Sequence, residues 1–178
     1  VIYTVCSLPR DRHEQSEDGS VLYSQTVLRF SRDAKTIDYL GQQGPGGTPF
    51  PYIKNIYITE KDELVVVCTA ADGLIVYWFG SNGYLKYTVP ITVKDAPMIA
   101  AEGESSEVYL TIENVIPDPS SYKLFVNIDY YTSYIDEDSK LYSGVNYSQT
   151  YLYPFNILTG VYEDAVSIPP YEESFVAD

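Results

Sequence analysis

Between residues 50 and 91 the chain alternates apolar runs with turn residues. After Phe50-Pro51, the run 52–59 is rich in β-branched and aromatic residues, and Glu60-Lys61-Asp62-Glu63 closes it. The nearly continuous apolar run 64–69 has the pattern of a strand covered on both faces, and Ala71-Asp72-Gly73 supplies turn chemistry. Residues 74–79 form a third run. The turn Gly80-Ser81-Asn82-Gly83 follows, whose Asn-Gly pair favours positive φ at both centres, and then a fourth run, 84–89. Four strands in meander order predict one antiparallel sheet, led in by the glycine-rich stretch from Gly41 to Gly47.

Repetition along the chain extends the pattern. Val5-Cys6-Ser7 resembles Val67-Cys68-Thr69 at an offset of 62 residues, which gives both cysteines the same place in successive sheets. Tyr23-Ser24-Gln25-Thr26 recurs as Tyr147-Ser148-Gln149-Thr150 at an offset of 124, twice the first spacing. A fixed period of one supersecondary unit is the mark of a repeat architecture. The chain is therefore expected to be all-β, a single β-propeller segment over 1–178 built of four-stranded antiparallel meanders. It would hold about three blades, an incomplete ring or half-propeller, where closed rings use about 4–8. Blade one covers 1–40 and lacks its first strand; its runs are 1–8, 21–30 and 36–40, with a polar insertion at 9–20. Blade two covers 50–91. Blade three covers 105–168, with strands near 107–116, 122–131, 150–157 and 161–168 and an insertion at 132–146. The tail 169–178 would begin another blade. Such a chain is expected to belong to a longer polypeptide or to close its ring as a homodimer through open strand edges.

The repeat resembles the NHL-repeat family of β-propellers, whose units carry a glycine-rich lead, Phe and Pro before the first strand, and a turn Gly before the outer strand. Gly41, Gln42, Gly44, Phe50, Pro51, Ile56, Leu64, Val66, Ile75, Phe79 and Gly83 match as they stand. The match is good over 41–91 and weaker elsewhere. Thr59-Glu60 stands where the family usually has Asp, and Asp72-Gly73-Leu74 replaces its Asn-Arg pair. The wording is also similar to that of uncharacterised spirochaetal envelope lipoproteins of propeller type. That likeness implies a periplasmic or cell-envelope location, with a lipid anchor where one precedes the chain.

Charge narrows the partners. With 25 acidic against 11 basic residues and a net charge of −14, the chain lacks the clustered Lys and Arg that phosphate backbones require, so no nucleic acid is expected, although some NHL propellers bind RNA. No run of about 18 apolar residues exists to form a membrane-spanning helix. Cys6 and Cys68 are expected as reduced, buried thiols.

Catalytic chemistry is sparse. The single histidine, His13, lies in the polar insertion and reads as a solvated loop residue without a triad to join. Lyases of this family that use several histidine ligands are disfavoured for the same reason. Asp129, Asp136 and Asp138 could offer oxygen ligands to Ca²⁺, although they lack the order of an EF-hand loop, and a charged loop tip is the favoured reading of the cluster. Glu102, Glu104 and Glu107 form a second acidic cluster, in a connection. No catalytic residue and no cofactor is assigned. Tyrosine is the conspicuous type, 19 residues, and Tyr130, Tyr131, Tyr134, Tyr142 and Tyr147 crowd the third blade. They are the binding-surface candidates, since tyrosine gives wide contact area at low entropic cost, while packing between strands is the competing explanation. The favoured expectation is a non-enzymatic binding or scaffold module with a protein or glycan ligand. A propeller hydrolase or lyase with an acidic or metal-dependent site, and a structural envelope protein, are the alternatives.

Overall fold

The structure, a computed structural model, describes residues 1–19, 21–100, 107–135 and 142–169. Glu102, Glu104, Asp136, Asp138 and all but the first residue of the tail 169–178 lie outside the described residues. The described chain is all-β, without an α-helix, and its contacts divide it into two compact units, 1–91 with 117–121 and 92–116 with 122–178.

In the first unit, β1 (Ile2–Ser7), β4 (Gln25–Phe30), β5 (Thr36–Gly41) and β6 (Gly44–Pro45) form an antiparallel sheet in that order. The insertion between β1 and β4 is structured. It holds a 3-10 turn at Arg10–Arg12 and a small hairpin of β2 (Glu14–Gln15) with β3 (Leu22–Tyr23). The glycine-rich lead is the β5–β6 hairpin, and Gly41 sits there because a Cβ would collide with the carbonyls of Gly47 and Thr48. Gln42 secures the loop after it: its backbone N–H donates to Thr48 O at 2.8 Å and its side-chain amide to Pro49 O at 2.8 Å.

The second sheet, β7 (Ile53–Ile58), β8 (Leu64–Ala70), β9 (Gly73–Phe79) and β10 (Leu85–Thr92), is the meander expected from the alternating runs. One turn differs. Gly83 takes φ +85° while Asn82 stays at negative φ, because Asn82 serves by its side chain, accepting from Tyr84 N at 3.1 Å.

The two sheets share one apolar cluster. Val27 and Leu40 of the first meet Leu64, Val66, Cys68, Tyr77 and Phe79 of the second, with Phe50 from the connection wedged between. The Phe50 ring stands edge-on to Tyr77 at 5.2 Å and to Phe79 at 6.2 Å, and its backbone bridges back to Gln25. Tyr77 keeps its hydroxyl satisfied in this apolar setting by donating to Gln42 Oε1 at 2.8 Å.

In the second unit, β11 (Val108–Pro117), β12 (Lys123–Ile135), β13 (Tyr142–Asn156) and β14 (Val161–Tyr162) follow one another, and β15 (Val166–Ile168) also pairs with β13. Two expectations change here. Both described ends of the 132–146 insertion are ladder: pairing continues from Tyr131↔Tyr147 through Ser133↔Val145 to Ile135↔Tyr142, with register shifts after Tyr130 and Tyr134. Tyr, Thr and Val in 131–135 and 142–147 favour strand, and each pair added has its partner already beside it. The outer strand, expected to run unbroken over 161–168, is split into β14 on Phe155–Asn156 and β15 on Thr150–Leu152. Glu163-Asp164-Ala165 lies between, where the Glu163 N–H bonds Pro154 O at 2.8 Å.

Candidate functional site

Cross-strand partners share a sheet face, so the β12–β13 register sorts the tyrosines into two groups. Leu124, Val126, Ile128 and Tyr130 of β12 are fully buried. Their partners at and next to the same face are Phe155, Tyr153, Tyr151 and Gln149. Tyr130 is therefore a core residue, not a surface contact. Its ring meets Tyr151 edge-on at 5.8 Å, and its hydroxyl donates to Pro97 O at 2.5 Å and lies 3.2 Å from Tyr153 Oη. Burial pushes its phenol pKa upward.

The opposite face carries Asn127, Asp129 and Tyr131 across from Leu152, Thr150 and Tyr147. Tyr131 and Tyr147 form an edge-on pair with centroids 6.1 Å apart, and Tyr147 is 45% exposed. A line of hydrogen bonds runs beside them: the Tyr147 and Thr150 hydroxyls are 2.8 Å apart, and Thr150 Oγ1 donates to Asp129 Oδ1 at 2.5 Å. Asn127 Oδ1, two residues along the same face, is buried without a hydrogen-bond partner. The face thus joins two phenol rings, a half-buried carboxylate and an unmet acceptor along two strands.

Of the candidates from the sequence, this face brings together Tyr131, Tyr147 and Asp129. Tyr134 and Tyr142 lie farther up the ladder, paired with Gly144 and Ile135. Asp129 is tied to Thr150, and its proposed calcium partners Asp136 and Asp138 are outside the described residues. Sequence reasoning missed Asn127 and Thr150. The alternation Leu124-x-Val126-x-Ile128-x-Tyr130 carried the signal that odd positions of β12 face the other way.

A cleft of about 660 Å³ lies in the first unit, on the sheet face that carries Cys6. It has Cys6, Leu8, Thr26, Leu28 and Tyr39 among its lining residues, together with the 3-10 segment and the Gly46–Pro49 loop. His13 belongs to this cleft. It is half-buried, and its Nε2 stands 2.8 Å from Leu8 O, which corrects the solvated-loop expectation. The polar insertion holds it there through the 3-10 turn, whose last carbonyl bond is His13 N to Arg10 O at 3.3 Å. Cys6 is half-exposed in the same cleft and its thiol points to Ser7 O, so only Cys68 is a buried thiol, with its pKa pushed up to about 12 by burial.

No helix of the described residues is long and apolar enough to cross a membrane. Comparison with protein-family models, with curated proteins and with solved structures found no match for this chain.

Proposed function

We propose that this chain is a non-enzymatic binding module of the NHL-propeller type, working in the cell envelope, which presents the Asp129–Tyr131–Tyr147 face of β12 and β13 to a glycan. The aromatic pair beside the Tyr147–Thr150–Asp129 hydrogen-bond line carries this reading. A sugar ring has an apolar C–H face and a rim of hydroxyls. The exposed Tyr147 ring with the half-buried Tyr131 beside it would cover the first, and a carboxylate accepts from the second through a charge-assisted bond. The face sits on paired strands, so its geometry is set before a ligand arrives and little ordering entropy is lost on binding. Net charge favours neutral or cationic glycans over acidic ones.

The test is calorimetric titration of the chain with a panel of neutral soluble oligosaccharides, repeated on Tyr147→Ala and Asp129→Asn. Binding that weakens at least tenfold in both variants supports the reading. Saccharide binding unchanged by either substitution removes the site, and protein capture without saccharide binding makes a protein the ligand.

A further inference from the structure

The face that carries Asp129 continues onto β11 with the same chemistry. Leu110 is buried while Tyr109, Thr111 and Glu113 are exposed, so these three lie away from the core, as Asp129 and Tyr131 do on β12. Glu107 joins them at the start of the strand, where its backbone N–H donates to Ser133 Oγ at 2.9 Å. Each carboxylate already receives one hydroxyl. Tyr109 donates to Glu107 Oε2 at 2.6 Å, Thr111 to Glu113 Oε1 at 2.8 Å, and Thr150 to Asp129 Oδ1 at 2.5 Å.

Cations are scarce on this face. The odd positions of β12 bring one lysine to it, Lys123, and that ammonium is bound to Glu163 at 2.7 Å. Among the described residues no Lys or Arg forms an ion pair with Asp129, whose only side-chain partner is neutral. The Tyr131 and Tyr147 rings stand beside it, and the π face of a phenol attracts a positive charge. Asn127 Oδ1, on the same face, is another acceptor without a donor. An ammonium, with three N–H donors and a full charge, answers both the carboxylate and the rings. A metal ion is a poorer match, because no three Asp, Glu, His or Cys side chains among the described residues come together to share one.

We infer that the glycan bound by this face contains an amino sugar with a free, protonated amine, whose ammonium lies against Asp129 beside the Tyr131–Tyr147 pair. This rests on the glycan reading above and names the sugar class within it. The ring's C–H face meets the phenols while the amine supplies the charge that no residue of the chain brings to Asp129. N-acetylation turns the ammonium into a neutral amide with one donor, so the face distinguishes deacetylated from acetylated sugars. The net charge of −14 adds a field that draws the cationic oligomer in.

The probes are a β-1,4-linked glucosamine oligomer and its fully N-acetylated counterpart of equal length, each titrated calorimetrically into the 178-residue chain at a pH where the amines are protonated. The free-amine oligomer should bind about tenfold more tightly. Asp129→Asn keeps an oxygen for Thr150 but removes the charge, and it should bring the two affinities together; Asp129→Glu, which keeps the charge, should retain the preference. Glu17→Gln, at an exposed position of the first unit, should leave the preference as it is. Equal affinities in the wild-type chain, or tighter binding of the acetylated oligomer, overturn the inference and leave the glycan reading standing. A preference that survives Asp129→Asn, or that Glu17→Gln reduces as much, belongs to the overall field and overturns it as well. Binding of neither oligomer also overturns it, and the neutral panel then decides the glycan reading by itself.

Discussion

Trp78 donates its indole N–H to Glu63 Oε2 at 2.7 Å, and the same carboxylate receives Lys86 Nζ on its other oxygen, also at 2.7 Å. Glu63 closes the turn before β8 and is only 6% exposed, so the sheet buries a carboxylate and satisfies both its oxygens with side chains of β9 and β10. A buried charge is tolerable only while its partners hold it.

Glu63→Ala leaves the Lys86 ammonium and the indole without this acceptor, and it should cost ~3 kcal/mol. Glu63→Gln keeps a carbonyl acceptor and should cost less than half as much. Urea denaturation followed by fluorescence reads the effect directly, because Trp78 is the single tryptophan. Equal stability of wild type and Glu63→Ala would show that the cluster contributes nothing.

The two thiols should separate by reactivity. Cys6 lines an open cleft, whereas Cys68 is fully buried and its thiol is pushed up to about 12. The thiolate is the reacting form, so at mildly alkaline pH a thiol reagent should modify one cysteine quickly and the other only on unfolding. Mass spectrometry of the native chain should therefore find a single adduct, on Cys6. Two adducts formed at similar rates would mean that the core between the first two sheets opens readily.

The second sheet was legible in the sequence because its signals are local: alternating apolar runs, Asp72-Gly73, and Asn82-Gly83. The face of β12 and β13 was legible only in part. Counting tyrosines pointed to the sheet of β12 and β13, but Tyr130 and Tyr131 are neighbours on a strand and point opposite ways, so one is in the core and the other half-buried on the opposite face. Residues 132–146 read as a loop since they are polar and carry no apolar alternation. The pairing of 132–135 with 142–146 comes from facing each other across an established ladder, which no window of sequence shows. His13 was misjudged for a similar reason, as the Leu8 carbonyl that holds it is supplied by tertiary geometry.

The same parity yields a contrast between two tyrosines. Tyr130→Phe removes a hydroxyl bonded to Pro97 O in the core and should cost ~1 kcal/mol. Tyr147→Phe, on the exposed face, should leave stability within ~0.5 kcal/mol of wild type. Thermal denaturation of the pair checks it; a larger loss from Tyr147→Phe would place that residue in the core instead.

Alkaline pH should unfold the chain from its phenols and its buried thiol. Burial raises the pKa of Tyr77 and Tyr130 well above the free value of 10.0, and burial with the nearby charge of Asp95 raises Tyr162 to about 12. Cys68 rises from 9.0 to about 12. Each group ionises more easily in the unfolded chain, which therefore binds fewer protons once pH passes the unfolded values. Stability from these groups is fully present below about pH 9 and falls as pH rises towards 12. Tyrosinate absorbance should show a class that appears only together with loss of the Trp78 signal. Titration of all tyrosines before unfolding would contradict the burial of Tyr77 and Tyr130.

Asn127 tests whether the face of β12 and β13 is kept for a ligand. An amide oxygen buried without a partner costs ~1–3 kcal/mol, and its cross-strand neighbour is Leu152, so an apolar side chain would suit the position better. Asn127→Leu should raise the unfolding free energy by ~1 kcal/mol. Proteins keep such a cost where function needs it. The same variant should therefore bind the oligosaccharide more weakly than wild type, with Tyr131 and Tyr147 still in place. A gain in stability with binding unchanged would make the amide a packing fault and confine the recognition face to Asp129, Thr150 and the two rings. A loss of stability would mean that Asn127 serves the ladder itself.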